Sequence, residues 1–386
     1  MSGSAGDHDW GLLEPLGHAA LTSDDAVLAA MVRVEAALTR AWGDDAPAFD
    51  VAAIDRAALI AGGRRDGNPV IALVEALRAQ AGDAAGAVHR GATSQDILDS
   101  ALMLVAGDAV ATMRASLASA GTEVANLAVA HRATPMAGRT LSQHAAPTTF
   151  GCRAASWLDA ITESISGLDA LSLPVQLGGA VGTGAAIEAL GGDPVFVRAA
   201  LAAELGLADP ARSWHTDRIP VARLASAVGI VVGALGRIGA DLVALGQTEV
   251  AEVHTADDGR SSAMPQKRNP VSAVLLVAAS RRSPQLVATL FGALESVDER
   301  PPGAWHAEWA ALRQLLDLGV GGAAAAASTL AGVTVDAERM LANLALTGDA
   351  IHAESAKHGR ADGTATAVAV AGPIVDAAIQ RFRSTE

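Results

Sequence analysis

The chain has 386 residues, 51% of them hydrophobic and only 3% aromatic, with a formal net charge of −14. So acidic a chain lacks the basic surface that nucleic-acid phosphates demand, although a local cluster of Arg, Lys and His can still hold a small anion. Its one cysteine, Cys152, excludes an internal disulfide, no Cys/His spacing suggests a metal site, and the length leads us to expect more than one domain.

The N-terminus carries no basic-then-apolar leader. The longest apolar run, 224–236, is shorter than the ~18 residues of a membrane span, so a soluble, cytoplasmic protein is expected. Abundant Ala and Gly favour closely packed helices over sheet.

Up to about residue 104 the segments are short and broken by Gly62-Gly63, Asp66-Gly67-Asn68-Pro69 and Gly82. There His89-Arg90-Gly91-Ala92-Thr93-Ser94-Gln95-Asp96 precedes the apolar run 97–105. Thr93 and Asp96 have the spacing of a capping box, which needs no ligand. His89, Arg90, Ser94 and Gln95 cluster at the same helix start, where open N–H groups favour a carboxylate.

A long helix follows, with Val110, Met113, Leu117, Ala120, Val124, Leu127 and His131 along one seam. Next, Gly138-Arg139-Thr140-Leu141-Ser142-Gln143-His144 leads to Pro147, which suits the first turn of another helix. Arg139, Gln143 and His144 together mark a candidate site. Trp214-His215-Thr216-Asp217-Arg218 then enters a second long helix, whose Asp217 and Arg218 are either solvated or near the bundle end.

In that helix Leu224, Val228, Val231, Leu235, Ile238, Leu242 and Leu245 keep a 4-3-4-3 spacing. Extended further, the spacing reaches Glu249 and Glu252, so either the seam turns acidic near Ser261 or the helix simply emerges into solvent there. Helices this long, on the order of 40 Å, belong in a bundle. The segment Gly259-Arg260-Ser261-Ser262-Ala263-Met264-Pro265-Gln266-Lys267-Arg268-Asn269-Pro270 ends on a plausible N-cap and N1 pair. Beyond Gly332-Val333-Thr334-Val335 the rhythm breaks, and a helix is expected from about Asp336. These breaks give an N-terminal domain over 1–103, a long-helix bundle over 104–333 and a short helical domain over 334–386.

Three of these segments, 89–96, 138–151 and 259–270, resemble in order the three signature regions of the fumarase/aspartase superfamily. The likeness is sharpest toward the 3-carboxy-cis,cis-muconate cycloisomerases. It is carried there by His89-x-Gly91-Ala92-Thr93-Ser94-Gln95-Asp96 and by Pro301-Pro302-Gly303-Ala304-Trp305-His306-x-Glu308-Trp309.

The resemblance implies an all-α, three-domain fold whose central helices form the core of a homotetramer. Each active site would draw its three regions from three subunits, with no metal or organic cofactor. It implies an anionic polycarboxylate substrate, Ser261 as the base, and His144 as a possible acid. Substrate binding would fall to His89, Arg90, Thr93, Ser94 and Gln95, to Arg139, Thr140 and Gln143, and to Lys267 and Asn269. The reaction implied is lactonisation of 3-carboxy-cis,cis-muconate in protocatechuate catabolism.

Two positions depart from the wider superfamily. Leu141 stands where fumarases and adenylosuccinate lyases carry a histidine, and Arg260 stands where a glycine is common. The C-terminal region is also short against typical members, so a lid element is expected to be reduced. The alternatives are adenylosuccinate lyase, another fumarate-releasing lyase, or a non-catalytic homologue.

Overall fold

The computed structural model describes residues 15–17, 19–256, 258–260, 263–264 and 267–385. Helices dominate: α1 (Ala19–Thr22), α2 (Asp24–Ala41), α3 (Arg56–Asp66), α4 (Val70–Ala81) and α5 (Ser94–Ala130) come first. A hairpin of β1 (Pro135–Thr140) and β2 (Gln143–Thr149) leads into α6 (Phe150–Asp169), α7 (Ala185–Ala189), α8 (Pro194–Leu205) and α9 (Ile219–Leu245). After β3 (Val253–His254), β4 (Asp258–Arg260) and β5 (Arg268–Pro270) come α10 (Val271–Gly292) and α11 (Ala304–Ala331). The chain closes with β6 (Thr334–Val335), α12 (Ala337–Ala345), α13 (Ala353–Lys357) and α14 (Gly363–Arg383). The described strands make three two-stranded antiparallel pairs, β1 with β2, β3 with β6 and β4 with β5. The expected all-α fold is what forms.

Both apolar seams are the buried faces of long helices. In α9, Leu224, Val228, Val231, Leu235, Ile238, Leu242 and Leu245 are all buried, and in α5 so are Met113, Leu117, Ala120 and Val124. The helix α5 packs on α6 and α11, while α9 packs on α10. Small residues set the spacing. A methyl group added at Gly236 would come within 2.1 Å of the Ser280 Cβ on α10, and one at Gly121 within 2.3 Å of the Phe382 ring on α14. The boundary expected at 103/104 falls inside α5, which runs unbroken from Ser94 to Ala130 because its Gly residues face neighbouring side chains and no proline interrupts it. The helix expected near Asp336 is α12, whose N-terminus Asp336 caps by accepting the Arg339 N–H at 2.8 Å.

Three expectations change. The second seam helix ends at Leu245, so Glu249 and Glu252 are not on its face. The chain turns back there, leaving Glu249 exposed and Glu252 fully buried. Pro147 sits in β2, not in a helical turn, and α6 begins after Thr149, which caps the Cys152 N–H at 3.2 Å. Asn269 is not the N-cap of α10: that position falls to Pro270, which has no side-chain cap bond, while both residues pair in β5 and the Asn269 Nδ2 donates to the Gly259 carbonyl at 3.2 Å.

By length and mean hydropathy (1.4, 1.8 and 1.2) α5, α9 and α14 are also apolar enough to cross a membrane, which the length of the longest apolar run did not show. Half of that stretch in α5 and in α9 is buried inside the bundle.

Candidate active site

The first region sits at the N-terminus of α5. Thr93 is the N-cap, and its N–H donates to Asp96 Oδ2 at 2.9 Å, the reciprocal half of the expected capping box. The Thr93 hydroxyl accepts from Arg300 Nη2 at 2.7 Å, while the same nitrogen donates to the Ala180 carbonyl at 3.2 Å. His89 adopts a left-handed backbone (φ 61°), uncommon for a residue with a side chain. Its N–H and its Nδ1 both bond the buried Glu35 carboxylate, at 3.1 and 2.7 Å. The Arg90 guanidinium lies 3.9 Å over the Trp42 ring. Ser94 is half-buried. Gln95, expected among the binding residues, is fully buried, with its amide nitrogen donating to Asp99 Oδ2 at 3.2 Å and to the His215 carbonyl at 2.9 Å.

Beneath this helix start lies a buried ionic network. Arg218 donates to Asp99 Oδ2 at 2.7 Å and to Glu308 Oε2 at 2.6 Å, and all three side chains are at most 2% exposed. Trp305 Nε1 donates to Asp99 Oδ1 at 2.9 Å. One turn nearer the cap, Asp96 takes His215 Nε2 at 2.7 Å and the backbone N–H groups of Gly178 and Gly179, each at 2.9 Å. Burial opposes the charge on Arg218, but Asp99 and Glu308 outweigh it and push the guanidinium pKa up. Burial also raises the Glu308 carboxyl, with Arg218 offsetting only part of the effect. Of the pair that could have been solvated, Arg218 is core, and Asp217 pairs with Arg212 near the surface.

The second region is the β1–β2 hairpin. Arg139 donates to both oxygens of Glu252, at 2.9 and 2.7 Å, and Asn343 Nδ2 donates to Glu252 Oε1 at 2.8 Å. His144 Nδ1 meets the Thr347 hydroxyl at 2.7 Å. Thr140 and Gln143 are exposed beside the two-residue turn. Leu141 and Ser142 form that turn with φ of 50° and 63°, the mirror-image geometry that suits a twisted hairpin, and Leu141 is 98% exposed. A cavity of about 640 Å³ opens beside the hairpin, lined in part by Arg139, Thr140, Thr148, Arg153, Ser156 and Arg237.

The third region is the β4–β5 pair and the segment it brackets. Lys267 is exposed and its N–H donates to the Met264 carbonyl at 3.0 Å. Ser261, expected to be the base, lies outside the described residues. No cluster of His, Cys, Asp or Glu that could hold a metal occurs among the described residues.

Within one chain these regions do not converge. The first sits at the start of the 37-residue α5 and the second follows its end, so roughly 55 Å of helix separates them. A six-residue strand reaches only about 20 Å and cannot close that gap.

Sequence reasoning missed Glu35, Asn343 and Thr347, isolated polar residues in segments without a motif, and Arg300, which stands just before the quoted 301–309 motif. Glu252 did stand out as an acid at the end of a seam, and Trp305 and Glu308 lie inside a quoted motif.

The family described as Lyase matches residues 18–283. Nitrosuccinate lyase from Streptomyces davaonensis is 46% identical over 375 residues, covering 90% of this chain and 79% of that one. The 3-carboxy-cis,cis-muconate cycloisomerase of Pseudomonas aeruginosa is 44% identical over 357 residues, covering 87% and 77%. The crystal structure of 3-carboxy-cis,cis-muconate lactonizing enzyme from Pseudomonas putida matches with a TM-score of 0.81 at 35% identity, covering 95% of this chain and 86% of that one.

Proposed function

On the premise that this chain belongs to the lyase family, as the match over residues 18–283 and relatives at 46% and 44% identity establish, we propose that it is a cycloisomerase of 3-carboxy-cis,cis-muconate. The observation that carries this proposal is the β1–β2 hairpin. In a chain of net charge −14, three arginines, Arg139, Arg153 and Arg237, line one cavity with Thr140 and a single acid, Glu354, a local basic excess that suits an anionic substrate although Arg139 and Arg153 are also paired with Glu252 and Asp241.

In lactonisation one substrate carboxylate oxygen bonds to the carbon β to another carboxylate. The electron pair of the double bond moves to the α carbon, where that second carboxylate holds it as an aci-carboxylate, and a proton then arrives there. Ser261 is assigned that proton and, in the reverse direction, its removal. A serine hydroxyl has this reactivity only beside a cation and oriented donors, which Lys267 and Asn269 supply. Thr93, Ser94 and His89 add donors to the developing dianion. The length of α5 between its two flanking regions supports a site assembled from several copies, and the proposal takes these as a homotetramer in the cytoplasm.

A second reading is favoured by the 46% identity to nitrosuccinate lyase. Nitrosuccinate would use the same α-proton removal. The carbon–nitrogen bond then breaks, nitrite leaves with the electron pair, and fumarate remains. The test presents both substrates to the purified protein. Loss of the conjugated diene of 3-carboxy-cis,cis-muconate with a lactone as product supports the cycloisomerase. Nitrite and fumarate from nitrosuccinate, with the diene untouched, replace it by the lyase.

A further inference from the structure

We propose that Thr347 is a positioning residue that keeps Nδ1 of His144 occupied, so that Nε2–H alone is left to donate a hydrogen bond to the substrate. The inference rests on the reading of His144 as a site residue.

Three observations carry it. First, the Thr347 Oγ1 lies 2.7 Å from His144 Nδ1, a short and specific contact across 203 positions of sequence. Second, Thr347 precedes the 3-10 turn Gly348–His352 with a helical backbone (φ −84°, ψ −13°) and makes no side-chain cap bond, so its hydroxyl is free of a local capping role and available to the histidine. Third, His144 stands opposite Arg139 in the hairpin register, and Arg139 is held by Glu252, which Asn343 in turn holds from four residues before Thr347. One short stretch of the C-terminal region thus reaches both members of the cross-strand pair.

A hydroxyl suits this task because it can both donate and accept. With the ring neutral, Oγ1–H donates to Nδ1 and the ring proton resides on Nε2. With the ring cationic, Nδ1–H donates to Oγ1 and Nε2–H remains available. Rotation about a single C–O bond switches between the two, with no movement of the imidazole. Which nitrogen of a histidine carries the proton follows from the bond made by the other.

The test compares Thr347→Val, which keeps the shape and removes the hydroxyl, with Thr347→Ser, which keeps the hydroxyl. Val should lower kcat about tenfold with KM nearly unchanged and shift the pH profile of kcat, while Ser should restore both. Ring-labelled histidine NMR, with the His144 signal identified in His144→Gln, should show a single Nε2–H tautomer in the wild type and a mixture in Val. This readout does not depend on turnover. A tautomer change in a protein inert toward both substrates would leave the positioning role standing and remove the proposed function. Identical tautomers and pH profiles in wild type and Val would overturn the inference, as would failure of Ser to rescue a folded, tetrameric protein.

Discussion

Arg139 and His144 face one another across the β1–β2 hairpin, and each is anchored by a residue outside it, Arg139 by Glu252 and His144 by Thr347. The hairpin therefore presents a geometry that its own residues do not set. Directly opposed side chains on a two-stranded ribbon are close neighbours, but an isolated hairpin is marginal in water. The outside anchors convert it into a rigid edge.

Glu252→Gln should expose this dependence. The fully buried carboxylate takes both Arg139 nitrogens and the Asn343 amide. Its neutralisation leaves a poorly oriented guanidinium and should cost about 2–3 kcal/mol of stability and raise KM several-fold. Thermal melting and steady-state kinetics check this, and unchanged values in both would show that Arg139 needs no such anchor.

Arg218→Met tests the foundation of the first region. The substitution strands Asp99 and Glu308, two buried carboxylates, without their cation. A loss of about 3–5 kcal/mol is expected in urea unfolding. A loss below about 1 kcal/mol would mean that the network relaxes and that α5 holds its start by capping alone.

The pH dependence of the same network has a definite sign. Burial raises Glu308 above its ordinary 4.5, against the partial offset from Arg218. A carboxyl whose folded pKa is raised contributes stability fully below its unfolded pKa and loses it as pH rises through the folded value. Stability should therefore carry a falling component from pH 4.5 upward that Glu308→Gln removes. Parallel stability–pH curves for the two proteins would refute the assignment.

Shared sites make a further prediction. Ser261→Ala and Arg139→Gln should each be inactive as pure proteins. After co-unfolding and refolding as a mixture, roughly a quarter of the sites should draw both regions from intact copies. Recovered turnover near that fraction supports assembly across subunits. No recovery from mixed oligomers of normal size would place both residues in a site belonging to one chain.

Much of this was legible along the chain. The seams of α5 and α9 show because 3.6-residue periodicity writes a buried face directly into the order of residues. Thr93 and Asp96 show because a cap is local, made among residues three apart. The Arg139–His144 segment was legible as a polar cluster but not as a hairpin. Leu141 and Ser142 are not residues that usually announce a turn with positive φ, so the strand pairing left little local trace.

What the sequence by itself determined is therefore what short-range chemistry encodes: long helices, their buried faces, their caps, and the kinds of side chain gathered in three segments. Only the tertiary structure decided that Glu252 is buried under Arg139, that Arg218 is core, that Gln95 points inward, and that Thr347 meets His144. Each of those contacts joins residues dozens to hundreds of positions apart. Their partners are single polar residues with no periodicity to mark them, so nothing local distinguishes them from solvated ones until packing brings the helices together.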